Sequence, residues 1–167
     1  MANRKLLKFG PIYNESSMVN LPRSMGASEV IKSRSGRFVI EDGSGYLDIA
    51  DDNDSELAGW VEVEEQTANS TDGVTKCSLT PAANCPTVFR VPLAYDGSTY
   101  TVNYGITLLG KTCDLIVVST IQKINLTTAD DDCLIVVGGL AATSTTADDG
   151  YVDVMFNPNE VGATGVA

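Results

Sequence analysis

Histidine is absent from the 167 residues. That removes the commonest general base, every Ser-His or Cys-His pair and most zinc sites. Catalysis would fall to carboxylates, Lys, Tyr or a bound nucleotide. Long apolar runs are also missing, and no stretch approaches the roughly 18 residues that a membrane-spanning helix needs. The four cysteines, Cys77, Cys85, Cys113 and Cys133, never stand in C-x-x-C spacing, which speaks against a zinc site. The opening MANRKLLKFGPIYNESS is basic but has no apolar segment before Gly10 and Pro11. No secretory signal is therefore expected, and folding in a cytoplasm is. No window carries the period of an amphipathic helix.

What is present is ordinary in amount and uneven in place. Apolar residues make up 43 % and charged residues 20 %, the composition of a globular domain with a real core. The net charge is −11. The first 37 residues nevertheless hold Arg4, Lys5, Lys8, Arg23, Lys32, Arg34 and Arg37 against only Glu15 and Glu29. An acidic body repels nucleic acid, so no nucleic-acid partner is expected. A basic leading segment on such a body reads as an arm that docks on something negative. Leu6, Leu7, Phe9, Ile12, Tyr13, Val19 and Leu21 give that segment more apolar anchors than a disordered tail usually has.

From residue 29 the texture is that of short strands between turns. EVIKS and RFVIE flank Ser-Gly, Asp42-Gly43-Ser44-Gly45 turns into YLDIA, and LAGWVEVE alternates apolar with acidic. TVFRVPLA and TYTVNYGITLL lie either side of Asp96-Gly97, and DLIVV, IQKINL, CLIVV and YVDVMF follow. Gln66 to Asn84 is polar and contains Pro81, which reads as a long excursion. About ten short strands at such spacing predict an all-β fold, a single β-barrel or β-sandwich domain with an extended N-terminal arm. The expected boundaries are an arm over 1–28, a body over 29–158 with an irregular insertion at 66–86, and a tail over 159–167. TTADDDCLIVV and TTADDGYVDVM echo each other, and Ala50 begins a third Ala-Asp-Asp; a turn solution used more than once accounts for them.

Three motifs invite chemistry. Gly105 to Thr112, GITLLGKT, matches the phosphate-cradling pattern letter for letter. Such a loop opens a helix, whereas CDLIVVSTIQKI reads as strand, so a turn or bulge at Gly110 and a solvated Lys111 are expected instead. Asp51 to Glu56 resembles a calcium loop but has Glu56 where the sharp turn needs glycine. No metal site and no cofactor are assigned. Cys77 and Cys85 bracket a Pro-Ala-Ala-Asn turn and could bridge if oxidised, while Cys113 and Cys133 beside apolar runs read as small buried residues.

Taken in order, the basic N-terminus, FVIEDGSGYLDIAD, AGWVEVE and the run GKTCDLIVVSTIQKINLTTADDDCLIVVGG…DGYVDVMFNP resemble the head decoration (cement) proteins of tailed bacteriophages. The resemblance is one of pattern, strongest from Gly110 to Pro158. It implies a β-rich, non-enzymatic virion protein on the outer capsid surface, assembled in the host cytoplasm. It further implies major capsid protein as partner, a homo-oligomer with a trimer favoured, and no membrane. The arm would supply Arg4, Lys5, Leu6, Leu7, Lys8, Phe9, Ile12 and Tyr13 to the capsid. The rival is a carbohydrate- or host-surface-binding β-module that stacks ligands on Trp60, Tyr95, Tyr100, Tyr104 and Tyr151.

Overall fold

Alternation of apolar and polar side chains sets the chain into short strands, and the order in which they pair is used twice. A computed structural model describes residues 10–13, 20–29, 37–51, 54, 56–62, 71–83, 85–118, 121–128, 133–147 and 149–159. Eleven strands run along them: β1 (Gly10–Tyr13), β2 (Leu21–Ser24), β3 (Arg37–Glu41), β4 (Leu47–Ile49), β5 (Gly59–Glu62), β6 (Lys76–Pro81), β7 (Val88–Pro92), β8 (Thr112–Val118), β9 (Ile121–Asn125), β10 (Leu134–Leu140) and β11 (Tyr151–Phe156). The fold is all-β. One sheet has the order β2-β6-β5-β3-β4 and the other β1-β7-β11-β10-β8-β9, every neighbouring pair being antiparallel.

Each sheet curls until its ends meet. Met25 continues β2 and makes a parallel bridge to Leu47 of β4; Leu93 continues β7 and makes a parallel bridge to Ile124 of β9. Gly26 N–H donates to Leu47 O at 2.9 Å, and Ala94 N–H donates to Ile124 O at 2.9 Å. The result is two small barrels in tandem. Counted from its own start, each runs first, fifth, fourth, second, third around the ring and closes third onto first.

The two barrels agree residue by residue. Leu21↔Leu79 and Arg23↔Cys77 in the first answer to Phe89↔Val154 and Val91↔Val152 in the second. Trp60↔Thr80 and Val61↔Leu79 answer to Ile135↔Met155 and Val136↔Val154. Val39↔Gly59 answers to Cys113↔Leu134. The flanking bonds agree as well. Met25 N–H donates to Thr75 O and Leu93 N–H to Gly150 O, while Ala82 N–H donates to Ala58 O and Asn157 N–H to Cys133 O. Inside the first barrel lie Met25, Val39, Leu47, Ala58, Val61 and Leu79. Their counterparts Leu93, Cys113, Ile124, Cys133, Val136 and Val154 are buried inside the second. Cys113 and Cys133 thus serve as small core residues, as the sequence led us to expect.

The outer face of the first barrel packs against the second. Phe38 and Trp60 point outward from the first barrel, opposite in the alternation to Val39 and Val61, and meet Phe89 and Phe156. Ring centroids stand 4.7 Å apart for Phe38–Trp60, 5.4 Å for Phe38–Phe89, 5.1 Å for Trp60–Phe89 and 5.2 Å for Phe89–Phe156, mostly edge to face. Burying such a cluster removes a large apolar area from water, and the edge-to-face pairs add to it.

Three expectations from the sequence are corrected here. The irregular insertion expected over 66–86 contains β6, which lies between β2 and β5. Its KCSLTP sends Cys77 and Leu79 inward and the small polar Ser78 and Thr80 outward, so a strand period hides in a polar-looking run. The strand expected over TYTVNYGITLL is not formed. The Asp96 carboxylate accepts from Ser98, Thr99 and Tyr100 N–H, and Thr127 Oγ1 accepts from Thr101 and Val102 N–H, so side chains take the place of a partner strand. Finally, residues 10–13 and 21–25 are built into the sheets, and Met25 is 1 % exposed, so the part of 1–28 that is described belongs to the body.

Candidate functional site

Of the eight residues expected in the docking arm, Arg4, Lys5, Leu6, Leu7, Lys8 and Phe9 lie outside the described residues. The other two are in β1, which adds to the free edge of β7 with Gly10 opposite Arg90, Pro11 opposite Phe89 and Tyr13 opposite Val88. The register slips between Pro11 and Tyr13, a bulge that leaves Ile12 39 % exposed. Gly10 holds φ +113, a backbone conformation that other residues rarely adopt, and it lies beside the Trp60 ring of the aromatic cluster. The arm's last residues are thus a strand laid on the second barrel, next to the seam with the first.

The seam itself holds a polar lock that sequence reading missed. Gln122 of β9 is 6 % exposed. Its Oε1 accepts from Phe38 N–H at 2.9 Å, and its Nε2 donates to Phe38 O at 2.9 Å and Ala50 O at 2.8 Å. One amide therefore acts as an added rung on β3. In IQKINL a lone glutamine reads as solvent-facing, and nothing local marks it otherwise. Nearby, Thr128 Oγ1 donates to the buried Asp114 carboxylate at 3.0 Å and accepts from Asn125 Nδ2 at 2.8 Å, tying the link after β9 back onto β8.

On the outer face of β7 and β11, Arg90 makes a two-point ion pair with Asp153 at 2.8 and 2.9 Å and lies 3.8 Å over the Tyr151 ring. The Asp153 hydrogen bond raises the Arg90 guanidinium above its ordinary range. On the first barrel, Arg23 donates to Glu41. Burial pushes the Glu29 carboxyl up, and burial with the charges of Asp42, Asp72 and Asp54 pushes up Asp48. The turns of the second barrel do the opposite. Backbone donors at Ser98 and Tyr100 hold Asp96 below the usual carboxylate range, and the Thr143 hydroxyl and N–H do the same for Asp149.

The Gly105–Thr112 stretch forms one 3₁₀ turn, Ile106–Leu108, with no side-chain cap, and then enters β8. Gly110 takes φ +76 in the turn, and Lys111 is exposed. No α-helix N-terminus stands behind this loop to face a phosphate. Within Asp51 to Glu56, Asp52, Asn53 and Ser55 lie outside the described residues, and Asp51 N–H donates to the Asp54 carboxylate. Among the described residues no group of three acidic or cysteine side chains gathers in a metal-holding arrangement. Cys77 and Cys85 are not joined by a disulfide. Burial raises the Cys77 thiol. No described helix is long and apolar enough to cross a membrane. Of the rings offered for ligand stacking, Trp60 is 5 % exposed in the core and the Tyr151 face is covered by Arg90. Tyr95 and Tyr104 pack against the core.

No protein-family model, curated protein or solved structure matches the chain.

Proposed function

We propose that this protein is a non-enzymatic structural component of a bacteriophage virion that decorates the outer capsid surface and bridges major capsid subunits. The observation that carries this reading is β1. The chain spends Gly10–Tyr13 as an add-on strand at the aromatic seam, directly after a segment rich in basic and apolar residues. A segment anchored at one end loses less entropy when the rest orders on a partner. Leu6, Leu7 and Phe9 then offer apolar contact, and Arg4, Lys5 and Lys8 offer charge pairing with an acidic shell. Many copies on a symmetric lattice turn a weak contact into a firm one through avidity. Two barrels, each with its own core and joined by a buried aromatic seam, give a stiff body, which suits a clamp that resists outward pressure.

The test is occupancy of purified capsids by the full chain and by a variant lacking residues 1–9. The expected result is a truncated protein that melts like the full chain and no longer binds. Replacing Arg4, Lys5 and Lys8 with Glu should weaken binding and reduce its salt dependence. Full occupancy by the truncated protein would overturn the arm. A full chain that ignores capsids while binding a glycan array would move the reading to the carbohydrate-binding rival.

A further inference from the structure

We propose that copies of this chain join head to tail, the outer face of the second barrel of one copy seating on the open end of the first barrel of the next. This repeats between molecules the contact that joins the two barrels within one, and it does not rest on the capsid reading.

The contact inside the chain has two unlike halves. One is the outer face of the first barrel, Phe38 and Trp60. The other belongs to the second barrel: Phe89, Phe156 and Gln122. A contact between unlike patches can be repeated, because each unit carries both patches and uses only one. The matching registers identify the unused halves. Thr112 and Ile135 stand in the second barrel where Phe38 and Trp60 stand in the first. Leu21 and Pro81 stand in the first barrel where Phe89 and Phe156 stand in the second. Counting back along the chain from Leu47, the counterpart of Ile124, Gly45 stands where Gln122 does.

Among the described residues, both unused halves keep exposed or half-buried side chains. Leu21 is 36 % exposed, whereas its counterpart Phe89 is fully buried by the first barrel. Pro81 and Ile135 are half-buried. Exposed aliphatic side chains flank the free outer face. Val137 lies at the β10 bulge and Leu140 at the end of that strand. Ile106 and Leu109 are in the turn whose Gly110 N–H donates to Val136 O. Charge fits as well. Exposed Lys111 adjoins Thr112 on one half, and exposed Asp42 opens the turn that carries Gly45 on the other. The occupant that matches an outer barrel face of this plan is therefore the open end of another copy.

The experiment is sedimentation velocity and native mass spectrometry on the full chain, on Leu21→Glu, on Ile135→Glu and on an equimolar mixture of the two variants. Thermal melts first establish that both variants are folded. The wild type should self-associate with rising concentration, and each variant alone should be monomeric. The mixture should form a heterodimer and nothing larger, because each variant retains one sound half. A two-fold contact between like surfaces would not be rescued by mixing. On the wild type, a carbodiimide cross-link between Lys111 of one copy and Asp42 of another, recognised with isotope-labelled and unlabelled chains, is expected even if a variant misfolds. A wild type monomeric at every concentration, a mixture that stays monomeric, or intermolecular cross-links confined to other residues would overturn the proposal.

Discussion

The two barrels share a strand order, a closure and matching core positions, yet they differ in what covers them. The second has its end closed by Phe38 and Trp60 and its first strand covered by β1. The first has Leu21 where the second has Phe89, and Pro22 where the second has Arg90, the residue opposite Gly10. Leu21 is left 36 % exposed at that end, and a proline on an edge strand discourages further pairing there. One plan thus yields a sealed unit and an open one. The lesson is that the strand order is carried by the buried alternation, while residues at the barrel ends and on the outer faces decide which surfaces find partners.

The comparison is broken most severely at Phe89. Phe89→Ala should cost about 3–5 kcal/mol in urea unfolding, because it opens a cavity between the barrels. Leu21→Ala, at the corresponding position, should cost under about 1 kcal/mol, because that side chain is 36 % exposed. Equal costs would refute the asymmetry. Next comes the lock. Gln122→Leu keeps most of the volume but leaves Phe38 N–H and two carbonyls without their side-chain partner, so a loss of about 1–3 kcal/mol is expected, with faster amide exchange at Phe38. Smaller again is Arg90→Lys, which removes the two-point pairing and ring stacking for roughly 1 kcal/mol or less.

The smallest effect has a sign that separates the barrels. Glu29 and Asp48 have raised pKa values, so their contribution is fully present below the ordinary carboxylate range and is lost as pH rises through it. Asp96 and Asp149 have lowered values, so theirs is present above that range and is lost as pH falls. Acidification from neutrality should raise the protection of amides around β4, relative to their intrinsic exchange rate, and lower it in the turns at Asp96 and Asp149. Asp48→Asn should stabilise the protein slightly at neutral pH and flatten the response near β4. The second barrel already has Asn125 at the matching place, opposite Asp114 as Asp48 is opposite Ile40. A destabilised Asp48→Asn would contradict the sign.

The all-β class was legible in runs such as RFVIE, CLIVV and YVDVMF, where β-branched residues alternate or cluster. The duplication was not. Among the matched strand positions only Val61 and Val136 are the same residue type, because a barrel core accepts Met for Leu or Ala for Cys at equal pattern. The TTADDD and TTADDG echo pointed elsewhere: the first copy lies between β9 and β10 and the second before β11, so they are successive links within one barrel. Ala50-Asp51 is the better clue, since it begins the link between β4 and β5 that matches the one between β9 and β10. Of the candidate arm, its basic and apolar make-up was readable, but the pairing of β1 with a strand some eighty residues away was not. Long-range pairing leaves no local period, and neither did the burial of Gln122.

The claim that one barrel plan is used twice is tested most directly by hydrogen-bond scalar couplings in solution. The account predicts a coupling from the Gly26 amide to the Leu47 carbonyl and an equivalent one from Ala94 to Ile124, both amides being strongly protected from exchange. A coupling seen at one closure and missing at the other, or both amides exchanging freely, would contradict it.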